Sequence, residues 1–119
     1  MQDRLSTHFF REEFTCRCGC GQDTVDAKLL SILQWLRYEV KTAVCVTSGN
    51  RCPSYNESVN GAVHSQHIIS KAADIIVVDR LPLAIYHLLD KHFPNTLGLI
   101  CYKTFIHVDS RSVKYRDKR

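Results

Sequence analysis

The sequence predicts an α+β fold: a small antiparallel sheet with flanking helices. Three observations predict it. Two stretches carry apolar residues at helical spacing and begin at capping residues or a proline. Four short apolar runs rich in β-branched residues end at turn residues. These segments do not alternate in regular strand–helix–strand units, which argues against a parallel sheet. A length of 119 residues fits a single domain spanning 1–119, since domains cluster near ~100–150 residues.

Residues 1–23 read as an irregular start holding the run Cys16-Arg17-Cys18-Gly19-Cys20-Gly21. A helix is expected from Thr24 or Asp26 to Tyr38. Leu29, Leu30, Ile32, Leu33 and Leu36 fall on one stripe there, and Asp23, Thr24 or Asp26 can cap it. Ala43-Val44-Cys45-Val46-Thr47 reads as a buried strand stopped by Ser48-Gly49-Asn50. Residues 48–72 are rich in Ser, Asn, Gly and His and read as a loop with room for one short helix. Loops of that length in a compact domain usually carry function. Asp74-Ile75-Ile76-Val77-Val78 is apolar on both faces after Asp74, as in a central strand. Pro82 suits a first helical turn, and the helix reaches Phe93 before Pro94-Asn95 stops it. Leu97–Cys101 and Thr104–Asp109 read as a closing strand pair, turning at Tyr102-Lys103. The basic residues 112–119 are expected to fray.

Composition excludes several classes. No apolar run approaches the ~20 residues of a membrane span. The opening MQDRLSTHFF lacks the apolar core of a secretory signal, so none is expected. A hydrophobic fraction of 45% is too high for a disordered chain. Sixteen Lys+Arg against twelve Asp+Glu leave a formal charge of +4. That bias toward anionic partners is mild, and the basic tail reads as solvated rather than as a nucleic-acid arm.

Three side chains stand out by position. His67 closes the polar loop, Asp74 opens a buried strand, and His107 lies in the middle of the last strand. A carboxylate opening a central strand is costly unless it is paired or bound to a metal. Two His and one Asp suit a catalytic zinc with one position left for water. The period of two puts Phe105, His107 and Asp109 on one strand face, with Ile106 and Val108 on the other. Asp109 is then placed to take a proton from that water as general base. The competing reading makes each His a hydrogen-bonded or surface residue and Asp74 a cap or salt-bridge partner.

The ordered blocks Ser48-Gly49-Asn50-Arg51-Cys52-Pro53, Asn56, Gly61-Ala62, Ser65-Gln66-His67, Ala72-Ala73-Asp74 and Phe105-Ile106-His107-Val108-Asp109-Ser110-Arg111 resemble the M15 zinc peptidases. Leu5-Ser6, His8-Phe9 and Glu13-Phe14 resemble the start of the D-Ala-D-Ala carboxypeptidase-like subfamily, so the likeness runs from about residue 5 to 111. It implies a Hedgehog/DD-peptidase fold and one Zn2+ on His67, Asp74 and His107. It implies a substrate carboxylate held by Arg51, with Ser65 and Gln66 assisting. Peptidoglycan peptides with D-amino-acid bonds are the implied substrate, cut as a carboxypeptidase or an endopeptidase. A monomeric phage or prophage lysis enzyme is the implied setting, made in the cytoplasm and acting on the wall after release. Four positions depart from the family pattern: Ser70 replaces a glycine, Asn50 an aromatic residue, Cys101 a glycine, and Thr104 an acid found in other branches. Asp109 therefore stands either as the base or as a partner orienting His107 or pairing with Arg111.

The remaining cysteines and histidines divide further. Cys16, Cys18 and Cys20 read as buried small residues in a turn, or as one disulfide with Cys45, Cys52 or Cys101, ahead of a metal knuckle with Cys52. His64 reads as a cleft or loop residue, and His87 and His92 as surface residues. Two other classes compete with the peptidase: a non-catalytic zinc-binding module of the same fold, and a cysteine-based metal or redox module.

Overall fold

The computed structural model describes residues 3–62 and 64–119; Met1, Gln2 and Val63 lie outside the described residues. The chain opens with a hairpin rather than irregular backbone. Strand β1 (Arg4–Ser6) pairs antiparallel with β2 (Phe9–Phe10), and a 3-10 turn follows at Arg11–Phe14. Strands this short leave no readable alternation in a sequence. Phe9 and Phe14 anchor the hairpin in the main core, and the Glu13 carboxylate accepts the Phe10 N–H at 2.8 Å.

Helix α1 (Ala27–Val40) begins where capping chemistry expects it. The Asp26 carboxylate accepts the Leu29 N–H at 3.0 Å and the Ser110 hydroxyl at 2.7 Å. The helix runs two residues past Tyr38 and ends at Lys41 in the left-handed region, φ 57°. Leu29, Ile32, Leu33, Leu36 and Val40 are buried. Truncating a buried leucine of this kind typically costs ~2–5 kcal/mol.

The remaining elements are β3 (Val44–Ser48), α2 (Pro53–Ser58), β4 (Ala72–Val77), α3 (Pro82–His92), β5 (Gly98–Cys101), β6 (Ile106–Asp109) and β7 (Tyr115–Lys118). The main sheet runs β3-β4-β6-β5-β7. Its first four strands are antiparallel, and β4 is interior as expected. Residues 112–119 do not fray: β7 adds to the edge, parallel to β5. Arg116 explains this. Its guanidinium donates to the Asp90 carboxylate at 2.7 Å and to the carbonyls of Phe93, Thr96 and Leu97 at 2.8, 2.9 and 2.7 Å. A basic composition conceals a strand held by one side chain.

The two faces of the sheet do different work. Val46, Ala73, Ile75, Leu99, Ile106 and Val108 share one apolar core with Leu33 and Leu36 of α1 and Ile85 and Leu89 of α3. The alternate residues Asp74, Ile100 and His107 line a cleft on the other face. Trp35 belongs to the packing, stacked on exposed His92 with ring centroids 3.9 Å apart. Among the described residues no helix is long and apolar enough to cross a membrane.

Candidate metal centre and cleft

Asp74 and His107 are directly paired across β4 and β6, so strand geometry alone brings them together. His67 arrives from the loop before β4. That loop is tied down by two bonds: the Arg51 N–H donates to the His67 carbonyl at 3.2 Å, and the His67 N–H donates to Ser65 Oγ at 3.2 Å. All three side chains are buried. Their candidate ligand atoms all lie within 4.8 Å of one another.

The nitrogens identify which atoms face the shared point. His67 Nδ1 lies 2.7 Å from the Gly49 carbonyl and His107 Nε2 lies 2.8 Å from Asp109 Oδ2. Each contact takes the single N–H of a neutral imidazole. The opposite nitrogens, His67 Nε2 and His107 Nδ1, each face Asp74 Oδ1 at 3.2 Å. A lone pair facing a carboxylate oxygen is repulsive unless a proton or a metal cation lies between. A tetrahedral ion with ~2.1 Å bonds would set its ligands about 3.4 Å apart. The donor set and its spacing therefore fit a single divalent ion.

The electrostatics agree. Burial raises the Asp74 pKa, but its close contacts with His107 and His67 outweigh it and hold the carboxyl below the usual range. Burial lowers the His107 pKa, but Asp109 and Asp74 outweigh it, so the net shift is upward. Two carboxylates around one ring create a field that favours positive charge.

Asp109 is on the expected strand face but is fully buried and does not line the cleft. Its Oδ1 accepts from Arg111 Nε at 2.7 Å and the Gly98 N–H at 3.1 Å. Its Oδ2 accepts from Arg111 Nη2 at 2.7 Å and faces His107 Nε2. Gly98 makes this possible, because a Cβ there would collide with the carboxylate. This geometry suits the orienting role weighed for Asp109, while the base role requires it to reach a proton within ~3 Å. The Asp109–Arg111 pair is one the sequence offered, whereas Gly98 had no signal of its own there.

Arg51 lines the cleft and its Nη2 donates to Asp74 Oδ2 at 3.1 Å. Nε and Nη1 reach Ser48 Oγ and Asn56 Oδ1, each at 3.4 Å. A guanidinium has five N–H donors, so one on each Nη stays available. Ser65, Gln66 and His64 line the same cleft of about 570 Å³. Phe105 and Arg111 line it too, and sequence reasoning missed two further walls: Tyr102, stacked on Phe105 at 4.3 Å, and the cation Arg119. The aromatic pair flanking the turn was the available signal.

Two departures from the family pattern touch each other. Ser70 adopts φ 64°, a region that costs a side-chain-bearing residue ~1–2 kcal/mol. Its hydroxyl donates to Asn50 Oδ1 at 2.6 Å. Asn50 is buried and its Nδ2 donates to the Phe14 and Thr24 carbonyls at 2.8 and 2.6 Å.

A His–Asp–His set that could hold one divalent ion lies at the floor of a cationic cleft on an α+β scaffold, an arrangement of the metallohydrolase class. The profile of the family described as Peptidase M15 matches residues 7–109 of the 119, a span that holds all three candidate ligands. The chain belongs to that family and is a peptidase. No curated protein and no solved structure matches it.

Proposed function

We propose that this peptidase is zinc-dependent and cleaves peptidoglycan stem or cross-link peptides at bonds involving D-amino acids, in a phage or prophage lysis setting outside the cytoplasm. The observation that carries the reading is the convergence of His67 Nε2, His107 Nδ1 and Asp74 Oδ1 on one point in a cleft. Zinc held there would polarise the scissile carbonyl and lower the pKa of a bound water.

The chain supplies the rest. Gly49 and Asp109 fix the ring orientations of His67 and His107. Arg51 holds the second oxygen of Asp74 and offers its remaining N–H groups to a substrate carboxylate. Ser65 and Gln66 offer polar contacts along the wall. Arg111 and Arg119 add positive charge that suits a carboxylate-bearing peptide, and the Tyr102–Phe105 pair offers an apolar platform.

The second reading, a zinc-binding module without hydrolysis, draws on one observation. Thr104 is exposed where related branches carry an acid, and both Asp109 oxygens are already engaged. Digestion of purified muropeptides followed by mass spectrometry separates the two. Loss of a D-amino acid or of a cross-link, absent in His107→Ala, supports the peptidase. Unchanged muropeptides with zinc-loaded protein would move the assignment to the binding module.

A further inference from the structure

A second cluster lies outside the cleft. Cys16, Cys18, Cys20 and Cys52 bring four Sγ atoms within 4.8 Å of one another. Cys18 Sγ lies 3.5 Å from both Cys16 Sγ and Cys52 Sγ. All four are free thiols. Cysteines two apart in an extended run would stand ~6.6 Å apart along the chain, so the run has been curled to gather them. Gly19 and Gly21 do this, with φ of 85° and 87°. The Cys16 N–H donates to the Gln22 carbonyl at 2.8 Å and closes the loop.

We propose that these four thiolates form a structural site for one zinc-class divalent cation, separate from the His67–Asp74–His107 centre. Zn–S bonds of ~2.3 Å in a tetrahedron set sulfurs about 3.8 Å apart, within the range found here. Two backbone N–H groups already point at the sulfurs: Cys52 N–H at Cys16 Sγ and Tyr55 N–H at Cys52 Sγ, each 3.4 Å. Such bonds stabilise thiolate ligands. Cys18 and Cys20 are exposed, which gives the ion a way in. On binding, each thiol loses its proton to solvent and no redox change occurs.

The ion would tie the N-terminal segment to the loop after β3. Cys52 directly follows Arg51, and that loop also presents the Gly49 carbonyl to His67. The Asn50 N–H donates to the Phe14 carbonyl at 2.9 Å, so the joint is already seeded by backbone contact.

The test uses the full chain, purified with reductant, stripped of metal and titrated with cobalt(II), then with zinc for metal analysis. The expected result is two ions per chain and the intense thiolate-to-cobalt charge-transfer bands of a tetrathiolate. Cys18→Ser/Cys20→Ser, at exposed positions, should lose those bands and drop to one ion. His67→Ala/His107→Ala should keep the bands and also drop to one. If the peptidase reading fails alone, the thiolate bands persist without hydrolysis. Wild-type protein that binds cobalt with no thiolate bands, or that carries a Cys16–Cys52 or Cys18–Cys52 disulfide under these conditions, overturns the proposal.

Discussion

Two clusters of side chains that could hold a metal ion both touch the loop 49–52, and they are built in opposite ways. In the cleft, Asp74 and His107 are fixed by strand pairing and buried, and only His67 comes from a loop. In the cysteine cluster every member comes from loop or turn backbone, and two of the four are exposed. A strand-borne set is preorganised before any ion arrives, which favours chemistry. A loop-borne set is ordered largely by its ion, which favours a structural role. The comparison predicts that losing the first abolishes turnover with little unfolding, while losing the second loosens the fold first.

The largest effect is expected at His67. His67→Ala should lower kcat/KM on a cleavable muropeptide by at least about a thousand-fold, because ion and activated water go together. Its thermal midpoint in chelator should stay near that of the wild type in chelator. A variant that keeps stoichiometric zinc and turnover would break the comparison on its first side.

Cys18→Ser/Cys20→Ser comes next. Cys18 and Cys52 are 34 residues apart. A covalent link closing a loop of that size contributes ~4 kcal/mol, and an ion holding the same points should act similarly. For a chain of 119 residues that is roughly 15 °C in Tm. Zinc should raise the Tm of the wild type more than that of the double variant, read by calorimetry. Equal zinc responses would remove the structural role.

Much of this was legible in the sequence, for identifiable reasons. The cap at Asp26, the stripe from Leu29 to Leu36 and the interior place of β4 are local signals that the structure keeps, although Ile76 on the second face of β4 is exposed. Asp74 and His107 stand out because polar residues in apolar strands need partners, and His67 because it closes the polar loop that leads into β4. Two features were not legible, and a third, the gathering of the cysteines with Cys52, ranked behind other readings. The β1–β2 hairpin is too short to show a period. Strand β7 depends on Arg116 reaching carbonyls some twenty residues away. The convergence of Cys52 on the C-x-C-x-C run depends on positive φ at Gly19 and Gly21, which spacing rules for zinc cysteines do not anticipate.

Asp109 sharpens the strand-built side. Asp109→Asn keeps the shape but removes the charge that orients His107. As a positioning residue it should weaken zinc binding by ~10–100-fold while leaving kcat largely restored at saturating zinc. As a base it would instead lose kcat with zinc affinity unchanged. Zinc titration and kcat measured on the same sample separate the two roles.

The smallest expected effect lies at the joint between the clusters. Ser70, at φ 64°, donates to Asn50 Oδ1 and lies 2.5 Å from Thr24 Oγ1. Asn50 in turn sits between Gly49, which orients His67, and Arg51-Cys52. Ser70→Gly removes the left-handed strain of ~1–2 kcal/mol but loses hydroxyl bonds each worth ~1 kcal/mol, so its net cost should be within about 1 kcal/mol. Ser70→Ala loses the same bonds and keeps the strain. Denaturant unfolding should therefore find Ser70→Ala less stable than Ser70→Gly by about 1 kcal/mol, despite alanine's smaller backbone entropy cost. Equal stabilities would mean that the turn relaxes out of the left-handed region once the hydroxyl is gone. The hydrogen bonds to Asn50 and Thr24, rather than the backbone path between the two clusters, would then be what imposes that conformation.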